Sequence, residues 1–279
     1  MNKWWLIIVL LVATAGLIMW PRGKRQAEVV EKSPYHTPRE IKPHVPAKPP
    51  VFYLAFEETN RPSGSIMVEA IEEQDTGYTE GIKGKALVIG RGKVNYKLAE
   101  KQPARPQGTI GLWIKPIAWD DESYLDFISM LVKTDRGWTT GFRIYRPFHT
   151  NLGLVALKQE QGQPNISLNY HVSRVAAWQK NDGPWHQVVY VWDGAKGVMY
   201  VDGLEIQTNH GTGDPLREAK AIQIGNVALK YNRDASGNEI TRRTTAIDEV
   251  AIYDYAWSAE EVQQNFEQWM GRLEDGDDF

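Results

Sequence analysis

The chain has 279 residues, of which 42% are hydrophobic and 24% charged, with a formal net charge of -3. That is an ordinary globular mixture, long enough for one large or two small domains, and it lacks the basic excess of a general nucleic-acid binder. Cysteine is absent, which excludes a disulfide framework, a cysteine zinc site and a thiol nucleophile.

The first element is apolar. Trp4 to Trp20 carries no charge, with Lys3 before it and Arg22, Lys24 and Arg25 after it. As a helix rising about 1.5 Å per residue, this run reaches about 25 Å, the short end of a membrane span. Two readings stand for residues 1–20: an uncleaved membrane anchor, or a signal peptide cut near Ala13-Thr14-Ala15, whose small residues fit the A-x-A pattern. The apolar stretch continues through Leu17–Trp20, which favours the anchor. The excess of positive charge after the span argues by itself for a cytoplasmic C-terminal part; the fold expected below argues for export instead, secreted or periplasmic if the peptide is cleaved.

Residues 21–50 are rich in proline and mixed charge, without apolar periodicity, and read as a semi-extended linker. From Val51 the composition changes. Apolar runs of strand length recur, separated by turn residues: 52–56, 85–89, 109–115, 124–132, 141–146, 152–158, 166–172, 185–193, 198–203, 221–225 and 246–254. Many alternate, as a sheet with one buried face requires. In WHQVVYVW, Val188, Tyr190 and Trp192 share one face and Val189 and Val191 the other, the pattern of a central strand covered on both sides. Strands at this density without long helices predict an all-β, two-sheet antiparallel sandwich over residues 51–270. Ser258 and Glu261 form a capping-box pattern, with Trp257 and Val262 placed as a hydrophobic staple, so a short helix closes the domain. An acidic tail, residues 271–279, follows.

PQGTIGLWIKP, PWHQVVYVWDG, GVMYVDG, AIQIGN and AIDEVAIYDYAWSAEEV occur in this order. Together with FYLAFEE and GIKGKALVIGRG they resemble the laminin-G-like, concanavalin A-like jelly-roll domains of exported bacterial proteins. The resemblance covers roughly Val51 to Met270. It implies a jelly roll and a recognition role, since the family includes lectin-like, adhesive and accessory modules. It also implies, in some members, a structural calcium near the first strand and the strand at 246–254, which makes Glu57, Glu58 and Asp248 the candidate ligands.

Some enzymes of this fold, the beta-glucanases, set their acids on alternate positions of one strand. Here regular alternation puts Asp248 with Ala246, Val250 and Ile252, and Glu249 with Ile247, Ala251 and Tyr253. No facing pair of carboxylates is expected, and hydrolysis by a retaining pair about 5 Å apart is not supported. An Asp248 turned inward needs a partner, because a buried unpaired charge is costly. A basic or backbone donor is one; calcium is the other. Trp119 and Trp138 fall in predicted loops and Trp178 precedes a turn, with Asp120, Asp121 and Arg136 nearby. Exposed rings beside such polar groups could stack a sugar and bind its hydroxyls; rings that plug the ends of the sandwich are the alternative. The expectation is a non-catalytic module recognising a carbohydrate or an envelope protein, anchored to a membrane through residues 4–20, with no nucleic acid partner. A glycan-active enzyme and a purely structural envelope protein remain the rival readings.

Overall fold

The computed structural model describes residues 45–275 apart from 58, 91, 100–101, 120–124, 136, 147–152, 159–165, 172–181, 195, 211–213 and 226–244. The expected anchor at residues 4–20 lies outside the described residues, and no helix among those described is long and apolar enough to cross a membrane. In chain order the strands are β1 (Phe52–Leu54), β2 (Val68–Gln74), β3 (Gly77–Glu80), β4 (Lys85–Ile89), β5 (Lys93–Leu98), β6 (Gly108–Pro116), β7 (Leu125–Thr134) and β8 (Gly137–Arg146). They continue with β9 (Gly153–Lys158), β10 (Ile166–His171), β11 (His186–Trp192), β12 (Lys196–Val201), β13 (Leu204–His210), β14 (Ala221–Ile224) and β15 (Thr245–Tyr253), and end in helix α1 (Ala259–Asp275).

The strands form two antiparallel sheets. One runs β13-β12-β11-β6-β15-β4-β3, the other β10-β9-β8-β7-β14-β5-β2. Strand β1 adds to the first sheet by pairing Phe52–Leu54 with Val250–Ile252, beyond the point where β4 leaves β15. Between the sheets lies the main core. Ile110, Leu112 and Ile114 of β6 and Val188, Tyr190 and Trp192 of β11 meet Ile128, Met130, Phe142, Ile144, Ile222 and Ile224 of the other sheet. The β11 alternation read in the sequence holds, and both of its faces are buried.

The outer face of the first sheet is covered as well. Val189, Val191, Val198, Tyr200, Ala251 and Tyr253 form a second cluster with Trp257 and Val262. The start of α1 explains how. Ser258 N–H donates to Glu261 Oε2 at 2.7 Å while Glu261 N–H donates to Ser258 Oγ at 3.1 Å, a closed capping box. Trp257 and Val262 flank it in the buried cluster as the staple pattern requires. Farther along, Phe266 stacks on Trp113 at 5.8 Å and Trp269 meets the same ring at 6.3 Å. The helix runs to Asp275, so the tail expected from residue 271 begins as helix.

Strands β2, β3, β5 and β13 are additions to the runs read in the sequence. β2 and β13 are edge strands of polar composition with largely exposed or half-buried residues, where pairing rather than an apolar face defines the strand. The regular alternation expected in β15 fails at one place. Asp248 pairs with Trp113 and Ala251 with Gly111, so two residues, Glu249 and Val250, oppose Leu112 alone. This is a β-bulge. Ile247 enters the main core before it, and Val250 and Ile252 enter after it. Asp248 therefore lies on the outer face with Trp113, not inward with Val250 and Ile252.

Candidate functional site

Asp248 is fully buried beneath the turn that joins β3 to β4. Its Oδ2 accepts the N–H groups of Ile82 at 3.0 Å and Lys83 at 3.3 Å, and its Oδ1 accepts that of Glu249 at 2.8 Å. Gly81 is needed here, since a Cβ would collide with Oδ2. Glu57 holds the other side of the turn: its Oε2 accepts Lys85 N–H at 3.2 Å, and its carboxylate lies where a Cβ on Gly84 would stand. Burial, and after it the charge of Glu249, pushes the Asp248 carboxyl up to about 8, against the downward pull of its three N–H donors. The sequence left a backbone donor or calcium as partners for Asp248; the structure supplies backbone donors. N–H groups are not ligands that a calcium ion takes. Among the described residues no three His, Cys, Asp or Glu side chains gather as a metal site, and the third candidate, Glu58, lies outside them. The donor set described does not fit calcium.

Glu249 stands differently. The bulge places it at a φ of 51°, a left-handed conformation that side chains other than glycine adopt rarely. The carboxylate lies on the outer face of the sheet, where Oε2 accepts the Tyr53 hydroxyl at 2.7 Å. Its Oε1 has no hydrogen-bond partner among the described residues. Burial raises the Glu249 carboxyl above the usual carboxylate range, while the Tyr53 hydroxyl, Lys83 and Arg272 pull it back. Tyr53 is in turn raised by its burial and by Glu249, so it stays a donor.

Glu249 lines a cavity of about 430 Å³ between the outer sheet face, α1 and the chain that leads into β1. Tyr53, Trp113, Tyr253, Trp257 and Trp269 supply aromatic walls. Gln187, Asn265, Gln268 and Arg272 supply polar ones. Gln187 Nε2 donates to Asn265 Oδ1 at 2.6 Å, and Gln187 Oε1 has no partner among the described residues. The remaining wall is proline: Pro46, Pro49 and Pro50. This segment, read as linker in the sequence, is held by Ala47 N–H donating to the Tyr255 hydroxyl at 2.9 Å and by a Lys48–Asp254 ion pair at 3.3 Å.

The sequence-predicted tryptophan platforms are elsewhere. Trp119 is only 3% exposed. Its Nε1–H donates to Thr245 Oγ1 at 2.8 Å, Phe127 stacks at 6.1 Å, and the Arg146 guanidinium lies 5.1 Å from the ring centre. Its ring plugs the sandwich and offers no open face for a sugar. Trp138 is 51% exposed at the turn end of β8, where Lys133 of β7 stands opposite. Asp120, Asp121, Arg136 and Trp178 lie outside the described residues. None of the cavity residues was singled out in the sequence as a ligand contact. The signal was the polar and aromatic mixture on the outward positions of β6, β11 and α1.

The comparisons with known proteins agree with this architecture. Residues 68–263 match the family model described as the concanavalin A-like lectin/glucanases superfamily. The chain belongs to this superfamily. Among solved structures it is similar to the botulinum neurotoxin type G receptor binding domain, with 12% identity and a TM-score of 0.58 over 79% of this chain and 51% of that one. It is also similar to the binding domain of Paraclostridial mosquitocidal protein 1, with 13% identity and a TM-score of 0.57 over 79% of this chain and 52% of that one. The botulinum neurotoxin serotype D binding domain gives 14% identity and a TM-score of 0.59 over 78% and 51%. The chain thus spans about half the length of these structures, and identity this low speaks for the superfamily fold alone. No curated protein matches the sequence.

Proposed function

We propose that the chain is a non-catalytic binding module of the cell envelope, held outside the cytoplasmic membrane by residues 4–20, and that it recognises a carbohydrate or a protein there. The observation that carries this reading is the make-up of the cavity. Among the described residues, five aromatic side chains and several amides surround one carboxylate, Glu249. Cleavage of a glycosidic bond takes two carboxyl groups flanking it. Asp248, the next acid along the chain, is fully buried and committed to three backbone N–H groups, so it does not supply the second. Similarity to receptor-binding and other binding domains supports recognition at the level of fold.

A glycan array and an envelope-protein pull-down with the full chain in detergent test this reading. Retention of a glycan or a protein without cleavage of any arrayed glycan is expected. Cleavage abolished by Glu249→Gln would overturn the non-catalytic part, and failure to retain either class would overturn recognition. On this reading an alkaline phosphatase fused to the C-terminus is expected to be active; an inactive fusion would overturn the location outside the cytoplasm.

A further inference from the structure

We propose that the cavity between β15, α1 and the Pro46–Pro50 segment seats a single sugar ring, and that this proline segment is a wall of the site, not a spacer. The inference rests on the reading of the chain as a binding module and names its ligand and its place. A cavity of about 430 Å³ lies toward the small end of the roughly 300–1,000 Å³ range of small-molecule sites. It has room for a compact ring and none for a folded partner.

The chemistry of the walls narrows the ligand. Glu249 and Gln187 line the cavity, and behind its surface each has a buried acceptor oxygen with no partner among the described residues. Arg272 and the amides of Asn265 and Gln268 add donors. A lone cation would meet the Arg272 charge, and an anion would meet Glu249. A purely apolar ligand would leave the two acceptors unmatched, which is costly in a dry site. A polyhydroxylated ring satisfies both sets, because each hydroxyl donates and accepts, and its C–H faces suit aromatic walls. The acceptors stand on strands β15 and β11, two strands apart across β6, roughly 9.6 Å between backbones. Trp113 lies between them, paired with Asp248 on one side and Gln187 on the other. A ligand reaches the two oxygens by a rotation of side chains that Tyr53 and Asn265 hold, exchanging those hydrogen bonds for its own.

The proline wall is built for its place. An extended proline-rich segment has about three residues per turn, which puts Pro46 and Pro49 on one edge. Both line the cavity. Ala47 and Lys48, between them, engage Tyr255 and Asp254 just beyond β15. The strand that carries Glu249 therefore also leads into the residues that fasten the wall.

Titration of the full chain in detergent with the methyl glycosides of glucose, galactose, mannose and N-acetylglucosamine tests the proposal, read by calorimetry and by tryptophan fluorescence. At least one glycoside is expected to bind and to change the fluorescence, since Trp113, Trp257 and Trp269 line the cavity. Glu249→Gln keeps one acceptor oxygen, already used by Tyr53, and is expected to weaken binding about tenfold. Tyr255→Phe frees the proline wall and is expected to weaken it less, and Trp138→Ala not at all. Binding of none of the four glycosides overturns the proposal, as does binding that survives Glu249→Gln. A glycan-array signal that survives Glu249→Gln but is lost in Trp138→Ala would leave the binding-module reading standing and move the site. A blank array together with a blank pull-down would remove the reading itself.

Discussion

Asp248 and Glu249 are neighbours in the chain and opposites in the structure. Asp248 is fully buried, and both of its oxygens accept from backbone N–H groups. Glu249 lines a cavity with one oxygen on Tyr53 and the other without a partner among the described residues. The first is a fastener for a turn. The second is a group held ready in a partly polar chamber. One bulge separates the two roles, which shows that proximity to a carboxylate in sequence says little about what that carboxylate does.

The largest effect that can break this contrast comes from removing each acid. Asp248→Ala strands three backbone N–H groups and is expected to cost about 3 kcal/mol in denaturant unfolding. Glu249→Gln keeps the Tyr53 contact and removes a buried charge, so its stability should stay within about 1 kcal/mol of the parent. Equal losses would erase the distinction between fastener and ligand group.

Next comes pH. The Asp248 carboxyl is raised in the folded protein from 3.8 to about 8. The folded state then holds a proton that the unfolded state releases, so the stability it contributes is full below about pH 4 and is lost as pH rises through about 8. Melting temperature should fall across that window, and Asp248→Asn should flatten the fall. A parent profile that rises instead would show that the three N–H donors win over burial. The smallest effect is expected from Tyr53→Phe, about 1 kcal/mol. It removes a donor that pulls the Glu249 carboxyl down, so that carboxyl should titrate higher in an NMR pH series.

Much of the sandwich was legible because burial writes alternation into a strand. β11 reads as covered on both faces from Val188 to Trp192 and is so. The helix start was legible because a capping box is local chemistry, complete within Ser258–Glu261. The cavity was not legible for the opposite reason. Tyr53, Gln187, Glu249 and Arg272 come from four separate elements, and no spacing along the chain brings them together. The proline segment misled for a related reason: Pro46 and Pro49 look like spacer composition, and what docks them is Asp254 and Tyr255, some two hundred residues away. Trp119 was offered as a platform because its loop context is polar, yet its indole N–H finds Thr245 inside the sandwich.

The bulge in β15 also has an accounting of its own. With Glu249 left out, the sequence runs Ile247 inward, Asp248 outward, Val250 inward, Ala251 outward, which is an unbroken two-residue beat. Glu249 is the syncopation. The strand is complete as a strand without it, and the left-handed backbone it occupies is an expense that pairing does not require. A single-codon deletion there would leave the core in register and erase the acid that lines the chamber among the described residues.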